Sequence, residues 1–315
     1  MKNNQSEILI IIDFGNSNTK VAEYNLETKV ISEILIIEKN ETEVRLKEFF
    51  DKITLDTNYT TDTTNTININ TIKINIIYSN VTKFEFETFA KNNLKSPELS
   101  NFVINIFDVR KIFIELENRK LIEFSHILGI GTDRLLGLIS SYLKYNTSCI
   151  TIDFGTAITL NFIDYKGIIK GGQIIPGYFT QLNSLNLNTD KIKLTNVLTN
   201  DLSENSNPFD MLVKTKINKL IGKAGNNTFD AVSWGIINSI CGTISNFIST
   251  NAQISEPSKC NNIIFAGSYS LPFYEYFEVS KFSNNANSNL AFHHSTNLNI
   301  NSIQNLFNLY PQLFN

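Results

Sequence analysis

An α/β chain made of two related, sheet-centred halves is the fold this sequence predicts. The first reason is an internal repeat. Asp13-Phe14-Gly15-Asn16-Ser17-Asn18-Thr19 returns as Asp153-Phe154-Gly155-Thr156-Ala157-Ile158-Thr159, at a constant offset of 140 positions. An apolar run precedes each copy, at residues 8–12 and 150–152. A strand running twice into an acidic, glycine-bearing turn points to duplicated half-folds that face one another. The second reason is the mixture, in each half, of a β-meander with segments of helical spacing. The third is size: 315 residues, 42% of them hydrophobic, bury a substantial core and fill about two domains. Residues 1–145 are expected to form the N-terminal domain and residues 146–315 the C-terminal one.

Taken in order, residues 8–12 read as a buried strand ending at Asp13, and residues 20–25 and 29–38 continue an antiparallel meander. Residues 41–53 carry Val44, Leu46, Phe49 and Phe50 at helical spacing. The Thr/Asn-rich stretch 57–66 is close to low complexity and reads as a solvated loop. Residues 72–78 predict a strand, 84–94 a helix and 101–107 another strand. In residues 133–145, Leu135, Leu136, Leu138, Ile139, Tyr142 and Leu143 recur near a 3.6 period, which predicts a helix linking the halves. The second half opens with strand 148–152. Strands 158–163 and 168–170 follow, joined by a turn at Tyr165-Lys166-Gly167. The Gly-rich run from Gly171 to Gly177 is a turn-and-strand signal. Residues 229–248 form a long helix whose Ala231, Gly235 and Gly242 permit close helix approach. Residues 262–266 form a last buried strand ended by Gly267-Ser268, and residues 303–309 a short capping helix.

Composition excludes several classes. Lys+Arg number 27 against Asp+Glu 30, a formal net charge of −3, so there is no basic excess to neutralise a phosphate backbone, and nucleic acid is not expected as a partner. Cys149, Cys241 and Cys260 show no metal or redox spacing, and Cys149 reads as a buried small hydrophobe. The run at 8–12 is too short and too soon broken by Asp13 for a signal peptide, and no apolar stretch is expected to be long enough to span a bilayer. The expectation is a cytoplasmic protein without a membrane partner.

The chemistry concentrates in two places. Gly15 lets the backbone approach a ligand closely, and successive amides with the short side chains of Asn16, Ser17, Asn18 and Thr19, followed by Lys20, suit phosphate oxygens. Asp13 would repel those phosphates unless Mg²⁺, directly or through its waters, stood between them. One isolated copy reads best as an Asp-Gly hairpin turn; the second copy reverses that preference. Gly131-Thr132-Asp133-Arg134 opens the linking helix, where Thr132 or Asp133 can serve simply as N-cap. The same geometry lets Asp133 take a proton from a substrate hydroxyl while Arg134 holds a substrate carboxylate or hydroxyl. Phosphoryl transfer needs such an aligned base. His126, His293 and His294 lack metal spacing and read as structural or surface residues.

Together these motifs resemble the type III pantothenate kinases, of the actin/hexokinase-like ATPase superfamily. The family's Asp-x-Gly-Asn-Thr-x-x-Lys is met by residues 13–20 with Ser17 for Thr. Its Gly-x-Asp-Arg is met by residues 131–134, and its second Asp-x-Gly-Thr-Ala-x-Thr by residues 153–159. Asp164, the Gly-Gly-x-Ile-x-Pro-Gly run at 171–177 and Asn227-Thr228 before the long helix follow in order. The resemblance implies two actin-like, ribonuclease H-like domains with a cleft between them, and ATP-dependent phosphorylation of pantothenate, the first step toward coenzyme A. By motif position it implies that Asp13, Phe14, Gly15, Asn16, Ser17, Asn18, Thr19, Lys20 and Thr156 bind ATP. It implies that Asp133 is the proton acceptor, and that Gly131, Thr132, Asp133, Arg134 and Thr228 contact pantothenate. Asp153 would hold the monovalent cation, K⁺ or NH₄⁺, and the family is a homodimer. Two departures stand out. Phe124 replaces a substrate-touching Tyr, and Ala266-Gly267-Ser268 replaces Thr-Gly-Gly. They motivate the alternatives of a non-catalytic binding or regulatory paralogue, or of a superfamily kinase for another acceptor such as a sugar.

Overall fold

The structure, a computed structural model, describes residues 7–57, 72–94, 102–192, 217–252, 261–279 and 290–314. The Thr/Asn-rich stretch from residue 58 onward and Cys260 lie outside them. Contacts group the chain into two units. The first takes Met1–Arg119, Ile130–Leu136 and Asn299–Asn315; the second takes Lys120–Gly129 and Gly137–Leu298.

In chain order the strands and α-helices are β1 (Glu7–Phe14), β2 (Asn18–Asn25), β3 (Val30–Ile31), β4 (Leu35–Glu38), α1 (Thr42–Thr57), β5 (Ile72–Asn80), α2 (Phe86–Asn93), β6 (Phe102–Asp108), α3 (Val109–Asn118) and α4 (Thr132–Tyr145). They continue with β7 (Cys149–Phe154), β8 (Ala157–Ile163), β9 (Ile169–Pro176), α5 (Tyr178–Asn188), α6 (Thr228–Ala252), β10 (Asn261–Gly267), α7 (Ser270–Val279), β11 (Leu290–Ser295) and α8 (Leu298–Leu309).

The duplication read from the repeat is a duplication of topology. The first sheet runs β3-β2-β1-β5-β6, with β4 also on β2; the second, read from the opposite edge, runs β9-β8-β7-β10-β11. In each, the strand bearing the Asp turn is antiparallel to its hairpin partner. It is parallel to the strand on its other side, which is parallel to the next. Both are mixed sheets flanked by helices, as expected. Leu9 through Ile12 and Phe14 are fully buried, which marks β1 as a central strand covered on both faces. The core of the first unit gathers Ile10, Ile12, Phe14, Leu46, Phe50, Ile76, Phe86 and Phe89. That of the second gathers Ile152, Phe154, Leu160, Ile237, Ile240, Ile244, Phe265 and Phe273.

Several elements differ from expectation. Residues 29–38 are two strands rather than one: β3 and β4 pair with β2 in succession. Between them the Ser32 hydroxyl accepts the Glu23 N–H at 2.9 Å, a bond that a strand carbonyl would otherwise make. The sequence reading lacked α3, α5, α7 and β11. Helix α3 had a legible signal, since its buried Val109, Ile112, Phe113 and Leu116 follow helical spacing and Asp108 caps it by accepting from the Arg110 N–H. Helix α5 is rich in Asn, Ser and Thr and starts from Gly177 without a side-chain cap, so neither propensity nor capping announces it. The expectation that no stretch could span a bilayer needs correction, because α6 is long and apolar enough by length and composition. The explanation is core packing: Ile236, Ile237, Ile240, Ile244, Phe247 and Ile248 of α6 are buried in the second unit.

Candidate active site

In the first unit the chain leaves β1 at Asp13, turns, and returns on β2. The Gly15 N–H donates to the Asn18 carbonyl at 3.1 Å, and a Cβ on Gly15 would stand 2.9 Å from that oxygen. Glycine is needed for this close return. Asn16, Ser17 and Asn18 are exposed at the tip. Phe14 is fully buried, with ring centroids 5.2 Å from Phe84 and 5.3 Å from Phe86, so a ligand meets only its backbone. The Thr19 hydroxyl is buried 3.3 Å from that of Thr42.

Asp13 is almost sealed, at 7% exposure. Asn299 Nδ2, from the first turn of α8, donates to its Oδ2 at 3.1 Å. Burial pushes the Asp13 carboxyl up to about 6; Asn299 and Lys20, its register partner on β2, pull it down, and Asp133 pushes it up. Ser79, its register partner on β5, lies near enough to lower it slightly. Among the described residues, neither Asp13 Oδ1 nor the buried Ser79 hydroxyl has a hydrogen-bond partner.

Residues 131–134 belong to the same unit as Asp13. Gly131 occupies the position before α4, so neither Thr132 nor Asp133 is the cap; both lie in the first helical turn. The Asp133 carboxylate folds back over Gly131: a Cβ there would come within 2.5 Å of Asp133 Oδ1. That same oxygen accepts the Arg134 N–H at 2.8 Å. Arg110 of α3 braces the segment from behind, donating from Nη1 to the Thr132 hydroxyl at 3.4 Å and from Nη2 to the Ile130 carbonyl at 3.3 Å. Arg134 is half-buried; desolvation lowers its pKa and the neighbouring Asp133 raises it.

The charge of Asp133 is felt at Asp13, and one Asp13 oxygen is buried with no partner among the described residues. That arrangement suits a magnesium ion that keeps several waters and phosphate oxygens as ligands. A full protein cage is absent: among the described residues no three His, Cys, Asp or Glu side chains gather.

The second unit holds the other copy. Asp153 is half-buried at the end of β7, and the Gly155 N–H donates to the Ala157 carbonyl at 3.0 Å. Up to the turn the copies match, but this turn is one residue shorter. Thr159 stands opposite Asp153, whereas Lys20 stands opposite Asp13. Gly267, at φ +89°, ends β10 against the Phe154 carbonyl, and a Cβ there would lie 2.5 Å from Asp153 Oδ1. The Thr156 carbonyl accepts from the Gly177 N–H at 2.8 Å and the Thr180 hydroxyl at 2.6 Å, while the Thr156 residue itself is exposed. Thr228 is exposed at the start of α6, beside a reciprocal cap. Asn227 Oδ1 accepts the Asp230 N–H at 2.9 Å, and Asn227 Nδ2 donates to Asp230 Oδ2 at 2.8 Å. Phe124 is half-buried, in the loop before residue 130.

Type III pantothenate kinase is the family whose model matches residues 9–250. The chain belongs to that family. Its members transfer a phosphoryl group from ATP to pantothenate in coenzyme A biosynthesis. A type III pantothenate kinase of Fervidobacterium nodosum is 27% identical over 248 residues, covering 75% of this chain and 78% of that one. One from Hahella chejuensis is 43% identical over 72 residues, and the match spans 23% of this chain and 30% of the relative's length. Among solved structures, the Alp12 filament structure has a TM-score of 0.51 at 13% identity, covering 98% of this chain and 100% of that one, a likeness of fold alone.

Other conspicuous residues are structural. Asp164, placed by its spacing beside the family motifs, accepts from the Lys166 and Ile168 N–H groups and from Lys170 Nζ, and so organises the turn at Gly167. His126 Nε2 lies 2.8 Å from the Ile169 carbonyl, His293 Nε2 2.8 Å from Asn262 Oδ1, and His294 Nε2 2.9 Å from the Ser270 hydroxyl. Cys149 and Cys241 are buried and in no disulfide, and the Cys149 thiol donates to the Thr147 carbonyl at 3.3 Å. Sequence reasoning missed Asn299, Arg110 and Ser79, none of which lies in a motif.

Proposed function

We propose that this chain phosphorylates the primary hydroxyl of pantothenate from ATP, and that residues 13–20 and 131–134 supply the phosphate turn and the base. The observation that carries this reading is the grouping, within one unit, of the Asp13 turn with Asp133 at a helix start, close enough for their charges to interact. The amides of residues 16–18 and the ammonium of Lys20 receive the phosphates, with Gly15 closing the turn that presents them. Thr156 adds an ATP contact from the second turn. Gly131, Thr132, Arg134, Thr228 and Phe124 hold pantothenate, with Arg134 suited to its carboxylate. Asp133 accepts the hydroxyl proton as the oxygen bonds to the γ-phosphorus and ADP departs with the electrons of the broken P–O bond. Mg²⁺, held by Asp13 directly or through water, supplies charge neutralisation at the phosphates. Asp153 carries the monovalent cation, K⁺ or NH₄⁺. The working protein is a cytoplasmic homodimer that engages neither nucleic acid nor membrane.

The test is ADP release with ATP, Mg²⁺, pantothenate and either KCl or NH₄Cl, set beside pantothenate omission and a panel of sugars. Turnover requiring pantothenate is expected. Turnover with a sugar instead reassigns the acceptor, and pantothenate binding without turnover under either cation makes the chain a binding paralogue.

A further inference from the structure

Asn299 lies 286 residues along the chain from Asp13, yet its Nδ2 donates to the Asp13 carboxylate at 3.1 Å. We propose that Asn299 is a positioning residue for the nucleotide site, holding Oδ2 of Asp13 so that the carboxylate keeps one orientation toward the metal–nucleotide. This rests on the reading of the Asp13 turn as the phosphate site.

The geometry supports a built contact. A carboxylate this deeply buried is costly unless hydrogen-bonded, and Asn299 satisfies one oxygen while the other has no partner among the described residues. The donor comes from a fixed element. Ile300, Ile303 and Leu306 of α8 are fully buried, the Tyr24 hydroxyl donates to Asn308 Oδ1 at 3.2 Å, and Phe314 beyond the helix packs on Phe107. An amide donor restrains Asp13 without adding charge. A carboxylate at residue 299 would add a second negative charge and remove the donor.

That contrast separates positioning from a merely helical role. Asp in the first turn of a helix is favoured by the helix dipole, so a residue serving only α8 tolerates Asn299→Asp. The experiment is calorimetric titration of the full-length chain with Mg·ATP in the absence of pantothenate, alongside melting temperature and steady-state kinetics. For Asn299→Ala and Asn299→Asp we expect Mg·ATP binding weakened roughly tenfold, as for loss of a hydrogen bond to a charged group. KM for ATP should rise with it, while KM for pantothenate holds; the melting temperature falls modestly, because the buried carboxylate loses its donor, with both variants still folded at the titration temperature. Wild-type Mg·ATP affinity in both variants overturns the inference, as does a loss seen only at temperatures where the variants unfold. Failure of the wild-type chain itself to bind Mg·ATP sinks the underlying reading of the Asp13 turn, and this inference with it.

Discussion

Asp13 illustrates at the residue scale how a site can cost stability. Burial raises its carboxyl from 3.8 to about 6. Well below pH 3.8 it is protonated in the folded and unfolded chains alike, and ionisation costs nothing. As pH rises from 3.8 to about 6, the unfolded chain ionises while the folded chain resists, so stability falls across that window and levels off above it. A shift of this size corresponds to roughly 3 kcal/mol. Asp13→Asn should therefore melt above wild type at pH 8 without magnesium or nucleotide, and level with it near pH 3. Equal melting temperatures for the two at pH 8 would show that burial is not felt. The same variant should lose Mg·ATP binding. Asp133→Asn tests the neighbouring carboxylate: removal of a general base should cut kcat roughly 10²-fold or more, with Mg·ATP affinity retained in titration. Near-normal turnover removes Asp133 from that role.

At the element scale, glycines and caps set where the functional side chains stand. Gly267 ends β10 in the left-handed region against Phe154 and Asp153, where an added Cβ is both strained and obstructed. Gly267→Ala should destabilise the second unit by more than about 1 kcal/mol in urea unfolding. If Asp153 holds the monovalent cation, it should also raise the K⁺ concentration for half-maximal activity; an unchanged K⁺ dependence despite lost stability separates Asp153 from cation binding. Asn227 presents a simpler case. Its reciprocal pairing with Asp230 starts α6, and Asn227→Ala should cost about 1 kcal/mol in the same measurement.

At the scale of the whole molecule, the chain does not divide at a single cut. Residues Asn299–Asn315 group with Met1–Arg119 and Ile130–Leu136 in one unit. Helix α8 brings buried Ile300, Ile303 and Leu306 to it, each such side chain contributing about 2 kcal/mol on burial. A chain ending at residue 298 should lose cooperative unfolding of the first unit, seen as a broadened or missing melting transition. A full-sized transition in the truncated chain would mean that α8 is dispensable to it.

What the sequence alone determined follows from local physics. The strands before Asp13 and Asp153, the glycine turns, the period of α4 and the length of α6 are each written in consecutive residues. The repeat then carried the duplicated sheet order with it. Family motifs located the Asp13 and Asp133 segments because those residues are contiguous. The tertiary structure decided what contiguity cannot encode. Asn299 comes to Asp13 only through a helix at the far end of the chain. Arg110 comes to Thr132 only because the fold brings the first turn of α3 to the start of α4. Lys20, rather than the residue predicted by a constant offset, stands across from Asp13 because strand register, not sequence spacing, chooses partners across a hairpin.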